Sequence, residues 1–149
     1  MGSTRSSWPL SSILLMAAGG ALVIAGLYFC FMRPALLPED LRYMALPAAQ
    51  FDIVRPRLDS WLAYVFQVMG GYVLATGVLA ITLAATSFRM HHWGAAVGAL
   101  VSGTASIGWM AFVNFVINSD FKWVLFGVAL LWACSLALFC VEKSHQRRR

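Results

Sequence analysis

Eight polar side chains stand out in a chain that is otherwise greasy: Asp40, Arg42, Arg55, Arg57, Asn114, Asn118, Asp120 and Lys122. Arginine presents a planar fork of donors, lysine a point charge, and the two amides both donate and accept. Asn114 and Asn118 are four residues apart, so they share a face if that segment is helical. Together such groups could hold an anionic or lipid headgroup, with Asp40 and Asp120 balancing the bases. The candidate ligand-binding residues are Asp40, Arg42, Arg55, Asn114, Asn118, Asp120 and Lys122. The same side chains would equally serve as the salt bridges of an ordered loop. No Ser/His/Asp order and no zincin motif is present, so no catalytic residue is assigned.

Other chemistry has little to stand on. His91, His92 and His145 fall near the ends of apolar runs, and the His91-His92 pair has no carboxylate or cysteine partner close in sequence, so no metal site is expected. A b-type haem needs an axial ligand such as histidine inside the membrane, and no cofactor is expected here. Cys30, Cys134 and Cys140 form no CxxC and read as small buried hydrophobes. No Asp, Glu, Lys, Arg or His lies deep in an apolar run, which argues against a proton-coupled transporter.

The elements that must position these groups follow from composition. The 149 residues are 60% hydrophobic and 11% charged, too few charges to clothe a soluble domain. Mean hydropathy is +0.75. Four long apolar runs, about 10–32, 61–86, 93–117 and 121–141, are each able to cross a hydrocarbon core about 30 Å thick as a helix. The expected fold is all-α: a single-domain four-helix transmembrane bundle with a structured extramembrane loop, 33–60, between the first two spanning helices. Pro38-Glu39-Asp40 looks like a helix start, with Leu41 and Met44 on one face and Pro47 as the stop. Asp59 or Ser60 would cap the second span. This loop is expected to cover the outer mouth of the bundle, pairing Arg33, Arg42, Arg55 or Arg57 with Asp120 and with its own acids.

Small residues recur every four positions, as Ala17-Ala21-Ala25, Gly94-Gly98-Ser102-Ser106 and Ala129-Ala133-Ala137, a pattern that allows close helix packing within the chain or in a homo-oligomer. Trp8, Trp61, Trp93 and Trp123 sit at span ends, where indoles favour the membrane interface.

An even number of spans leaves both termini on one side. That side carries Arg5, Arg89, Lys143, Arg147, Arg148 and Arg149 against Glu142 alone; the other side balances five bases with five acids. The basic excess points to cytoplasmic termini in a multi-pass protein of the cell membrane, a bacterial inner membrane by expectation. The start MGSTRS matches the N-myristoylation pattern, but four spans need no lipid anchor.

The run GGYVLATGVL, Gly70 to Leu79, on the second of four short spans resembles the small bacterial DoxX-like membrane families and related four-helix proteins. The resemblance implies the four-span layout; it brings no site residue. The leading expectation is an accessory or structural subunit of a membrane complex, partnered by the bilayer and by a membrane protein or a second copy, and not by nucleic acid. The alternative is a lipid- or quinone-linked enzyme or binder that uses the outer polar cluster. A channel or transporter component is the third.

Overall fold

The computed structural model describes residues 8–45 and 48–147. The MGSTRS start with Arg5, the expected stop at Pro47, and Arg148 and Arg149 lie outside the described residues. The described chain is helical and contains no strand. Its elements are α1 (Leu10–Phe31), α2 (Pro38–Met44), α3 (Ala48–Leu83), α4 (Trp93–Gly103), α5 (Trp109–Val116) and α6 (Lys122–Arg147). A π-helical turn, Ala84–Phe88, extends α3, and a second, Thr104–Gly108, joins α4 to α5. Four stretches are long and apolar enough to cross a membrane: Leu10–Phe31, Asp52–Phe88, Trp93–Val116 and Lys122–Gln146.

Two expected boundaries move. The second long helix begins at Ala48 and not near Trp61, so 48–60 is helix and neither Asp59 nor Ser60 caps it. Pro56 lies inside this helix, where it removes one i→i−4 bond; the exposed position lets water take the freed carbonyl. Arg55 and Asp59, 3.7 Å apart, bridge one turn of the same segment. The covering segment is therefore short, built around α2. At the other end α6 runs past the expected limit of 141 to Arg147, carrying Glu142 and Lys143 on a helical surface.

α1 is the central element and packs against both α3 and α6. Its contact with α3 is made by glycines seven residues apart on each helix. A methyl group added at Gly26 would lie 2.5 Å from the Leu74 amide nitrogen and 2.8 Å from the Gly70 carbonyl oxygen. One added at Gly77 would lie 2.6 Å from the Gly19 carbonyl oxygen and 2.7 Å from the Val23 amide nitrogen. A seven-residue spacing returns to the same side of a helix after two turns, so both pairs lie on one seam. In lipid no hydrophobic effect draws helices together, and van der Waals contact between bare backbones takes its place.

The four-residue ladders do not make this contact: Ala17, Gly94, Gly98, Ser102, Ala133 and Ala137 are exposed. Cys134 and Cys140 are exposed as well, not buried hydrophobes. A surface of such residues suits lipid, as do Ile24 and Leu79, which are similarly uncovered.

Aromatic side chains pack at the end where α1 begins and α6 finishes. There Phe88 and Phe139, both fully buried, meet with ring centroids 4.6 Å apart. Farther up, the Trp132 indole N–H donates to the Ala99 carbonyl at 2.9 Å. It sits where any side chain at Gly103 would be, since a methyl group there would fall 2.2 Å from the indole nitrogen.

Gly77→Ala forces backbone against backbone and should lower stability by about 1–3 kcal/mol. Gly71→Ala, where the added methyl meets open space, should be neutral or stabilising by up to about 1 kcal/mol. Thermal unfolding of the two variants in one detergent checks both.

Candidate functional site: a two-lobed cavity beneath the cap

Drawing α1 onto α3 leaves α5 standing off. The π-helical turn Thr104–Gly108, an insertion common at functional sites, joins α4 to α5 on this side. The side-chain donors of this stretch are spent locally. Thr104 Oγ1 donates to the Leu100 carbonyl at 2.8 Å, Ser106 Oγ to Ser102 at 2.6 Å, and Asn114 Nδ2 to Met110 at 2.8 Å. Such back-bonding keeps polar groups satisfied at membrane depth.

Behind α5 lies a cavity with two lobes. One, of about 530 Å³, lies between α3 and α5 and is lined by Phe66, Met69, Tyr72, Val73 and Trp109 among others. The second, of about 420 Å³, lies between α1 and α6 and is lined by Tyr28, Phe121, Val124, Leu125 and Val128 among others. Leu22, Phe29, Arg33, Asp40, Ile107, Met110, Asn114 and Ile117 border both. Each lobe has the size and apolar lining of a small-molecule site, typically about 300–1,000 Å³.

Arg33 and Asp40 form its polar end. The Arg33 side chain is only 7% exposed and its Nη2 donates to Asp40 Oδ2 at 3.1 Å. Nη1 donates to the Pro34 carbonyl at 2.9 Å and the Ala35 carbonyl at 3.3 Å. The guanidinium lies 3.5 Å from the centroid of Phe66, a cation–π contact strengthened by exclusion of water. Asp40 is held in turn by the Leu37 N–H at 2.8 Å. It occupies the third position of α2, after Pro38 at the first, so the bond that starts the helix also aims the carboxylate.

α2 is fastened over the cavity by two further contacts. Glu39, 5% exposed, accepts from the Ser119 hydroxyl at 3.1 Å. Arg42 pairs with Asp120 at 3.0 Å, both well exposed.

The expected ligand set thus divides. Asp40 and Asn114 line the cavity. Arg42 and Asp120 form a surface latch outside it. Asn118, at φ 53°, accepts from Lys122 within the α5–α6 turn. Arg55 pairs with Asp59 on the α3 extension. The sequence reading passed over Arg33 as a site residue, and missed Phe66 and the Glu39–Ser119 contact. Arg33 had a signal: it is the first charge after α1, followed by the turn-forming Pro34 and Pro38 that bring Asp40 back to it. Phe66 had none, since an aromatic inside an apolar run looks like any other.

A second polar cluster closes the opposite end. Glu142 accepts from the Ser11 hydroxyl, from the Ser11 N–H at 3.2 Å and meets His91 Nε2 at 3.1 Å. His91 is buried at φ 55°, a left-handed conformation uncommon outside glycine though histidine is among the residues that adopt it, and its carbonyl accepts from Lys143 Nζ. So His91 does have a carboxylate neighbour, brought by α6 from 51 residues away. Among the described residues no three His, Cys, Asp or Glu side chains group as metal ligands.

No family model, curated protein or solved structure matches this chain.

Breaking the exposed latch with Arg42→Ala or Asp120→Ala should lower stability by less than about 1 kcal/mol. Asp40→Ala, which strands a buried guanidinium, should cost about 3 kcal/mol. Thermal unfolding in detergent ranks the three variants. At the other end Glu142→Ala removes the acceptor shared by Ser11 and His91 and should cost about 2 kcal/mol. Hydrogen exchange in the first turn of α1 should accelerate in that variant and not in Asp40→Ala.

Proposed function

We propose that this protein is a binder of an amphipathic membrane molecule, lipid- or quinone-like, held in the cavity beneath α2. The observation that carries this reading is the Arg33–Asp40 pair set at the head of a two-lobed apolar cavity. Empty apolar space forfeits packing contacts, and burying a charged pair carries a desolvation penalty. A chain whose whole task was to pack its helices would gain from filling the first and dispensing with the second. A polar head over apolar walls is also the shape of an amphiphile lying with its tail in the membrane.

On this reading the fold is a four-helix transmembrane bundle with both termini cytoplasmic, in a bacterial inner membrane. The basic excess on the terminal side supports that orientation. Kinship with DoxX-like proteins belongs to the same proposal; the run that suggests it contains Gly70 and Gly77, both on the α1–α3 seam. The reading as an accessory subunit has one observation of its own. Gly98 and Gly127 are glycines with open space before them, where a helix of a partner or second copy could approach closely.

Native mass spectrometry of the gently extracted protein tests the proposal. About one lipid- or quinone-sized adduct per chain is expected. Met110→Trp, which fills the junction of the lobes, should remove most of it. Leu130→Trp, on the exposed face of α6, should leave it in place. A bare chain, or an adduct that Met110→Trp does not disturb, overturns the reading. A stoichiometric protein partner without an adduct favours the subunit.

A further inference from the structure

Resting on that binding reading, we propose that the cavity selects an amphiphile with an uncharged headgroup, a carbonyl or a hydroxyl, and rejects anionic ones. Arg33 alone suggests the opposite, because a buried guanidinium is the usual partner of a phosphate. Its surroundings reverse the expectation. Asp40 already pairs with it at 3.1 Å. Glu39, buried at 5% exposure, lines the α6-side lobe and has Ser119 as its partner. Among the described residues the cavity wall carries these two carboxylates and one guanidinium, and no other cation borders either lobe. Arg42 is engaged with Asp120 on the surface, and Lys122 with Asn118 in the turn. An incoming phosphate would meet two carboxylates in a poorly screened space, where like charges repel strongly.

What the wall does offer is neutral hydrogen bonding. Of the five guanidinium N–H groups, three are used, by Pro34, Ala35 and Asp40. The two that remain can donate to a carbonyl or hydroxyl oxygen. Asn114, which borders both lobes, donates its amide nitrogen to Met110. That bond assigns the carboxamide orientation and leaves Oδ1 to accept from a hydroxyl. Phe66, stacked on Arg33, is a positioning residue: it holds the fork while contributing no polar group.

The test uses the full chain in an uncharged detergent, titrated separately with dioleoylglycerol, a decyl benzoquinone and dioleoyl phosphatidic acid. Occupancy is read by native mass spectrometry. Dioleoylglycerol and the phosphatidic acid share their tails and differ by the phosphate, so their ratio isolates the headgroup. The quinone arm separates a lipid source from a quinone source. At least one uncharged probe should bind about tenfold tighter than phosphatidic acid, a modest difference in binding free energy. Met110→Trp should abolish that binding. Asp40→Asn keeps the shape and the Leu37 bond but removes the counter-charge. It should raise affinity for phosphatidic acid about tenfold and leave the uncharged probes within about threefold. If Asp40→Asn does not fold, the order of the probes on the unmodified chain decides. Phosphatidic acid binding as tightly as the uncharged probes, in a manner sensitive to Met110→Trp, overturns this proposal while sparing the binding reading. Binding of none of the three overturns both.

Discussion

The approach of α1 to α3 across four glycines is the contact on which the rest of the architecture depends. Gly19 faces Gly77 and Gly26 faces Gly70, with backbone atoms where side chains would otherwise stand. A lipid environment withholds the hydrophobic effect from helix association, so surface complementarity must supply the attraction. Because α1 is committed along its length to α3 on one side and to α6 on another, its remaining face toward α5 is not covered. The cavity is the volume left over. The π-helical turn Thr104–Gly108 joins α4 to α5 beside it, and Ala105, Ser106 and Ile107 of that turn line the α3-side lobe.

Charge is spent at the two ends of the molecule and almost nowhere between, but in different ways. At the terminal end Glu142 joins the first turn of α1 to the turn after α3, and His91 and Lys143 complete the cluster. Aromatic packing of Phe88 against Phe139 lies directly beneath. At that end the charged groups find their partners within the chain. At the cap end Arg33 and Asp40 stand against empty apolar volume, with α2 as a cover fastened through Glu39 and Ser119. A polar network with no cavity behind it reads as structure. A polar pair at the head of a cavity is the observation on which the proposed recognition rests.

Much of this was legible from residue types. Hydropathy located the spans, because a bilayer demands long apolar helices and little else imitates them. Pro38-Glu39-Asp40 announced α2 through the chemistry of a helix start. The balance of acids and bases in the loop foretold pairing, and Arg42 with Asp120 is such a pair. The ladders divide: Ala129 packs against the core while Ala17, Gly94 and Ala133 are exposed within this chain, because small residues suit both a helix contact and an outer surface, and composition does not distinguish them. The early start of α3 was not legible because hydropathy marks where the apolar residues begin, at Trp61, and not where the helix does; Pro56 inside it is tolerated where solvent satisfies the carbonyl it strands.

By itself, then, the sequence determined the number of long helices, their apolar character, the short cap helix and the confinement of charge to their ends. These are local or one-dimensional properties, set by transfer free energies and by backbone chemistry within a few residues. Which glycines meet, which side α5 leaves open, and that Arg33 takes Asp40 while Glu142 takes Ser11 and His91 were decided only in the folded molecule. Ser11 and Glu142 are 131 residues apart, and Glu39 and Ser119 are 80 apart. Partners at that separation are chosen by how helices of nearly interchangeable apolar surface fit against one another, and that fit is a property of shape in three dimensions.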